Sequence, residues 1–536
     1  MTKEKKETYL KGAMFLGAAG ILVKIMGALF RIPLGRAIGS EGMGYYQVGY
    51  TVYNFMLAFT YAGFPTAISK LVSAKKARGE HTAAHDTFLT ALKMLSFLGL
   101  AGSLALGFGA GFLANYVFES PLAYHSILAL APTVLFISIL AAFRGYFQGM
   151  KDMKPTALSQ VVEQFGRVLV GLALAFTMLR LSGEPLAAAG GVFGAGAGGL
   201  AAMIMIIFLY RKRKMAGKMV TSDSLGLPPE TTGKMMKDIV AIAFPIAIGA
   251  AVMPLINMVD TLVVLRRLQE SGFTYAQANS LYGQLQGMAA TLVNLPQVIT
   301  IALAMSIVPA VSDAAARKDW EAVQTDSASV FRVSLMMGLP ASAGLVVLAH
   351  PIMQFIYPGE PASLGEIMFI MGFAVFFLTQ LQTLTGILQG LGKPHIPVRN
   401  LMIGAGCKLF LTYFLTATFL HVRGAAIGTV VAYIIAFSLN LWAVKKLTGV
   451  RFDMKQVFLK PFISVMVMAV LAWGSHRILL PMLGNSLAVV LAISIGAATY
   501  GLMLLKTDAL EMRDFDLLPK GDKIAQLLKK LKLLRP

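Results

Sequence analysis

AISKLVSAKKARGE, residues 67–80, returns as SIVPAVSDAAARKD at 306–319. The offset of 239 sets Ile68 on Ile307, Val72 on Val311, Ser73 on Ser312 and Arg78 on Arg317. Farther along, FRGYFQGM at 143–150 returns as LTGILQGL at 384–391, offset by 241, a register that also sets Arg167 on Lys408. The chain therefore contains two copies of one unit, and the fold follows from what one copy is.

Composition answers that. Of 536 residues, 57% are hydrophobic and only 14% charged, and windows of about 20 apolar residues recur along the chain. Fourteen candidate spans centre near residues 22, 57, 102, 135, 169, 200, 250, 298, 343, 376, 409, 434, 468 and 495. The fold class is an all-α integral membrane protein with 14 transmembrane helices, in two six-helix lobes plus a C-terminal two-helix hairpin. The expected divisions are an N-lobe over 1–210, an inter-lobe linker over 211–235 (RKRK, then TSDSLGLPPETTG), a C-lobe over 236–450, the hairpin over 451–505 and a basic tail over 506–536. Because the matching segments fall on one side of the membrane, the lobes are parallel repeats, as in transporters that bind substrate between two halves. Within span 6, GGVFGAGAGG (190–199) spaces Gly190, Gly194 and Gly198 for close helix packing.

The formal charge of +21 is a matter of topology. Lys70, Lys75, Lys76, Arg78, the RKRK run, Arg317, Lys318, Lys445 and Lys446 all lie on one side, which the positive-inside rule makes cytoplasmic. Both termini then lie there too, and no nucleic-acid partner is implied. Span 1 is too long for a signal-peptide core and reads as a retained helix. The single cysteine, Cys407, excludes an internal disulfide and a thiolate metal cluster. The tail GDKIAQLLKKLKLLRP reads as an amphipathic helix that would bind anionic membrane lipids, or as a plain basic anchor.

An ionisable residue inside a span is a functional candidate by default. Here these are Lys24, Lys93, Arg144, Glu163, Arg167, Asp260, Arg332 and Lys408. Positive charge dominates and, with Arg31 and Arg36, suggests a hydrated cavity that accepts an anion. Glu163 and Arg167 stand one turn apart, either a structural pair or part of the cavity wall. Lys93, Arg144 and Arg332, near helix ends, are expected to snorkel. Lys24 has no acid within a turn and reads as a substrate or coupling residue. Asp260, with Asn257 one turn before it, can pair with Arg31 or bind a coupling cation. HTAAH (81–85) lacks the glutamate of a zinc-protease helix and reads as a solvated face. The DFD triplet at 514–516 is the one enzyme-like motif. No catalytic residue, resident metal or cofactor is expected. Without a P-loop, transport must draw on a coupling cation (sodium or proton), the membrane potential or the substrate's own gradient.

The blocks VKIMGALFRIPLGRAIGSEGMGYYQ, AGFPTAISKLVSAKKARGE, FRGYFQGMKDMKPTALSQVVEQFGR and PLINMVDT together resemble the polysaccharide-transporter branch of the multidrug/oligosaccharidyl-lipid/polysaccharide (MOP) exporter superfamily. Within it the chain is most similar to the stage V sporulation protein B and YtgP group, relatives of the MurJ lipid II flippase. The resemblance implies a MATE/MurJ-like V-shaped cavity in a bacterial cytoplasmic membrane. It also implies alternating access that moves lipid II, an undecaprenyl-diphosphate-linked precursor, from the inner to the outer leaflet. Another lipid-linked oligosaccharide of capsule, teichoic or spore-cortex synthesis is the alternative; a drug or cation antiporter and a membrane glycosyltransferase rank below it. On this reading Lys24, Arg31 and Arg167 engage the diphosphate, Glu163 orients Arg167, Lys408 adds charge, and Asp260, Asn257 and Arg144 serve gating or coupling. MurJ proteins carry further arginines in spans 2 and 8; this chain has none there, so Arg167 and Lys408 are expected to supply charge from other helices. A monomer that works beside cell-wall synthesis proteins is expected.

Overall fold

The computed structural model describes residues 3–61, 63–215, 230–450 and 452–509. Its helices are α1 (Lys3–Tyr61), α2 (Gly63–Ala77), α3 (His81–Phe112), α4 (Tyr124–Gly149), α5 (Lys154–Ser182), α6 (Glu184–Met215), α7 (Thr232–Glu270) and α8 (Tyr275–Tyr282). They continue as α9 (Ala290–Val293), α10 (Gln297–Ala316), α11 (Trp320–Val347), α12 (Ala349–Ile356), α13 (Ser363–Gly390), α14 (His395–Thr416), α15 (Val422–Thr448) and α16 (Lys460–Lys506). No strand occurs among the described residues.

Glycine divides the two longest helices. Gly39 at φ 65° separates spans 1 and 2 inside α1, and Gly484 at φ 70° separates spans 13 and 14 inside α16, a left-handed conformation that glycine adopts without a Cβ clash. Eleven helical stretches are long and apolar enough to cross a bilayer. Dividing two of them at Gly39 and Gly484, and adding α14, yields the fourteen spans. Span 8 is itself interrupted: a π-helical turn, Gly283–Ala289, follows α8, and Pro296 stands at the break before α10. Pro245 and Pro254 lie inside a continuous α7. Along α3, Phe97, Leu104 and Phe108 point outward, Phe108 with 85% of its surface open. Such a stripe suits lipid and would be an aggregation site in water.

The chain packs as two compact units, Met1–Gly283 and Gln284–Pro536. The sequence repeat is a packing repeat within each. In the first unit a Cβ added to Gly149 would stand 2.8 Å from Val72 Cβ, and one added to Gly145 2.9 Å from the Pro65 carbonyl. In the second, Gly390 meets Val311 at 2.9 Å and Gly386 meets the Ala304 carbonyl at 2.8 Å. Val72 and Val311, Pro65 and Ala304, are the same positions at the offset of 239. Helix α7, which the repeat assigns to the second lobe, packs in the first unit, where Gly63 leaves room for the Ala243 carbonyl and Ala247. Most of the expected linker (216–229) lies outside the described residues, as do the DFD triplet and the amphipathic tail (510–536).

The glycines of GGVFGAGAGG bring α6 onto α5: Gly190 faces Leu174, Gly194 faces Gly171 and the Arg167 carbonyl, and Gly198 faces the Glu163 carbonyl. Backbone on backbone cannot give way as a flexible side chain can. Gly198→Val is therefore expected to lower stability by about 3 kcal/mol, the upper range for overpacking, read as the thermal midpoint in detergent. An unchanged midpoint would show that α6 has room to move.

Lys75, almost fully buried at the end of α2, ties down the start of α7. Its Nζ donates to Thr87 Oγ1 at 2.8 Å and to Glu230 Oε2 at 2.5 Å. The Lys75 hydrogen bond, outweighing the effect of desolvation, holds the Glu230 carboxyl below its ordinary value. A depressed carboxylate contributes stability that is present above the unfolded pKa and lost as pH falls through the folded one. Hydrogen-exchange protection of the first turn of α7, corrected for intrinsic rates, should thus hold above about pH 5 and fall below about pH 4. In Lys75→Met, where only the exposed Lys234 still pairs with Glu230, the dependence should shrink markedly; an undiminished dependence would place the titration elsewhere.

His85 is not on a solvated face. It is buried and stacks on Tyr210 at 6.3 Å beside Phe88 and Tyr146.

Candidate functional site

The first unit concentrates charge where α4 turns into α5. Pro155 opens α5 in its first turn, where a missing amide costs nothing, and Ser159, Glu163 and Arg167 follow at four-residue spacing on one face. Arg144 comes from the end of α4. With 2% of its surface exposed it does not snorkel; Nε donates to Ser159 Oγ at 2.8 Å and Nη2 to Glu163 Oε2 at 2.9 Å. The other carboxylate oxygen, Oε1, is 3.8 Å from Arg167 Nη2. Glu163 therefore belongs first to Arg144 and only second to Arg167.

Arg167 has capacity left. Its Nη2 donates to Tyr53 Oη at 3.1 Å, its guanidinium lies 5.5 Å from the Tyr53 ring centre, and its buried Nε has no acceptor. Behind it, Gly194 and Gly198 of α6 press on the backbone of this same turn, so the side chain is directed away from α6.

Tyrosines of α1 connect Arg167 to Arg31. Tyr46 and Tyr50 stack at 5.8 Å, Tyr50 and Tyr53 follow at 5.9 Å, and Arg31 sits 4.8 Å over the Tyr50 ring. A cation on an aromatic face keeps its charge partly offset yet accessible. Asp260 is buried on α7 next to Thr261, whose hydroxyl bonds the Asn257 carbonyl at 2.8 Å and Tyr282 Oη at 2.7 Å. Asn257 itself is exposed, as is Lys24, two turns before Arg31 on α1. The site thus unites Arg31, Arg144, Glu163 and Arg167, with Asp260 in the same unit.

Lys408 is half-buried on α14 in the second unit. The repeat register sets Arg144, Ser159 and Glu163 on Thr385, Asn400 and Gly404. There no carboxylate takes part: Asn400 Nδ2 donates to Asn440 Oδ1 at 2.8 Å, Asn440 Nδ2 donates to Thr385 Oγ1 at 3.4 Å, and Arg399 donates to Asn400 Oδ1 at 3.3 Å. Gly404, in place of the glutamate, packs on the Ala432 carbonyl. One packing scheme carries an ion pair of arginine and glutamate in one copy and paired amides without an acid in the other. Arg144 and Arg167 share one carboxylate while Arg31 stands across the tyrosines, so the group carries net positive charge, which can receive an oxyanion through charge-assisted bonds.

Sequence reasoning missed Tyr50, Tyr53, Ser159, Thr261 and Tyr282. The tyrosines had a signal: Tyr46, Tyr50 and Tyr53 are spaced by four and three, one helix face.

Residues 9–315 match the family model described as polysaccharide biosynthesis protein, and residues 245–414 match the MatE model. The chain is 30% identical to stage V sporulation protein B of Bacillus subtilis, over 93% of this chain and 95% of that protein. It is 24% identical to the lipid II flippase MurJ of Bacillus subtilis, over 92% and 94%. A solved structure of lipid II flippase MurJ in an inward closed conformation matches with a TM-score of 0.68 at 16% identity, covering 91% of this chain and 98% of that one.

Proposed function

From the premise that this chain belongs to the polysaccharide biosynthesis family of the MOP exporter superfamily, and is a membrane transporter rather than an enzyme, we propose that it flips lipid II from the inner to the outer leaflet. The observation that carries the proposal is the arginine cluster of the first unit. A diphosphate is a dense anion of the kind Arg31 and Arg167 can bind, and Lys24 and Lys408 would add charge along its path. Glu163 holds Arg144 and biases Arg167, while Asp260 and Asn257 couple the cycle to sodium, protons or the membrane potential. The higher identity to a sporulation protein than to the flippase favours a second reading, a lipid-linked precursor used in spore formation.

Proteoliposomes separate the two. Fluorescent lipid II should cross the bilayer at least about tenfold faster with the protein than without it, a difference of roughly 1.4 kcal/mol. Equal acceleration of undecaprenyl-diphosphate carrying unrelated glycans would move the assignment to the broader class, and no acceleration of any would refute it.

A further inference from the structure

The second unit holds a cavity of about 700 Å³ that the transport reading does not use. It lies between α11 and residues 449–450 and 453–457 at the root of the hairpin, lined by Gln324, Thr325, Ser329, Arg332, Asp453 and Gln456 among others. Arg332 faces it from a buried position, 6% exposed, although a residue near a helix end can snorkel to water. Its repeat counterpart Lys93, at the offset of 239, is exposed. The inward cation is a feature of one copy, not of the shared fold. Opposite it, Asp453 Oδ1 accepts from the amides of Lys455 and Gln456 and so caps the π-helical turn Lys455–Leu459. The rest of the wall offers hydroxyls and amides.

The surroundings indicate what enters. Lys446 Nζ lies 5.0 Å over exposed Trp442, and Lys445 Nζ 5.7 Å over Phe452. Such tryptophan and lysine pairs mark the headgroup level of a bilayer. Next to the cavity, exposed Phe458 and Phe462 stack at 5.8 Å, an apolar track where acyl chains would lie. We propose that this cavity binds the phosphate of an anionic phospholipid headgroup. Arg332 takes the phosphate oxygens, Ser329 and Gln324 meet the headgroup hydroxyls, and the chains follow the Phe458 and Phe462 face. A bound lipid would thereby join α11 to the root of the hairpin, whatever substrate the transporter carries.

Native mass spectrometry of the delipidated full-length protein with phosphatidylglycerol and phosphatidylcholine tests this. The wild type should hold one tight phosphatidylglycerol, preferred about fivefold or more over phosphatidylcholine. Arg332→Gln and Ser329→Phe should each retain one fewer. If Arg332→Gln fails to melt cooperatively, Ser329→Phe, which only fills the cavity, decides. Undiminished binding in Ser329→Phe overturns the proposal. Millimolar inorganic phosphate should leave the lipid in place; displacement would assign the site to a soluble phosphate and overturn the lipid.

Discussion

Glu163→Ala is expected to destabilise the first unit by about 3–5 kcal/mol, the usual cost of leaving a buried charge without its partner. Arg144 bears most of that cost. Its guanidinium is almost wholly buried, and the change removes the carboxylate that accepts from Nη2 while Ser159 still accepts from Nε. Glu163→Gln should cost less, because the amide oxygen still accepts from Nη2. The informative variant is double. Replacing Arg144 and Glu163 together by methionine removes both desolvated charges, so it should be more stable than either single variant. Thermal unfolding in detergent of the wild type, Arg144→Met, Glu163→Met and the double variant reads the coupling, and additive losses would show that the two side chains are not coupled.

Arg167→Ala should abolish flipping while leaving the fold nearly intact. Glu163 keeps its 2.9 Å bond to Arg144, so no carboxylate is orphaned. Losing one buried charge-assisted contact to a bound anion costs about 2–5 kcal/mol, at least roughly thirtyfold in substrate affinity. Failure to complement a flippase-depleted strain, with normal membrane levels, is the expected result. Arg167→Lys should recover only part, since an ammonium cannot donate to Tyr53 and a phosphate through one planar fork. Full growth of Arg167→Ala would remove this residue from the substrate path.

These outcomes bear on what the sequence disclosed. The repeat was legible because its glycines and their partners, Gly149 with Val72 and Gly390 with Val311, are single-residue identities that packing demands. The pairing of Arg167 with Glu163 was visible as a helical spacing. The stronger pairing was not: Arg144 and Glu163 are nineteen residues apart on different helices, and only the turn between α4 and α5 brings them together. Arg144 and Arg332 look alike in sequence, each near a span's end. Whether such a side chain reaches out or turns in depends on the neighbouring helix, which local pattern does not encode. His85 misled for the same reason, since Tyr210, which stacks on it, lies far along the chain.

The ion pair between α4 and α5 also bears on how this chain is made. Each charged residue at a span's centre adds about 2.5–3.5 kcal/mol to insertion from the translocon. Span 5 carries Glu163 and Arg167 in its interior, whereas Arg144 lies toward the end of span 4, where the cost is smaller. Only the short segment 150–153 separates the two helices, so span 4 can wait beside the channel while span 5 is synthesised. Release of the two as a preformed hairpin, Arg144 already on Glu163, is the route that never presents either charge alone to lipid. The ion pair proposed to serve the finished transporter would thereby also link two successive steps of its insertion.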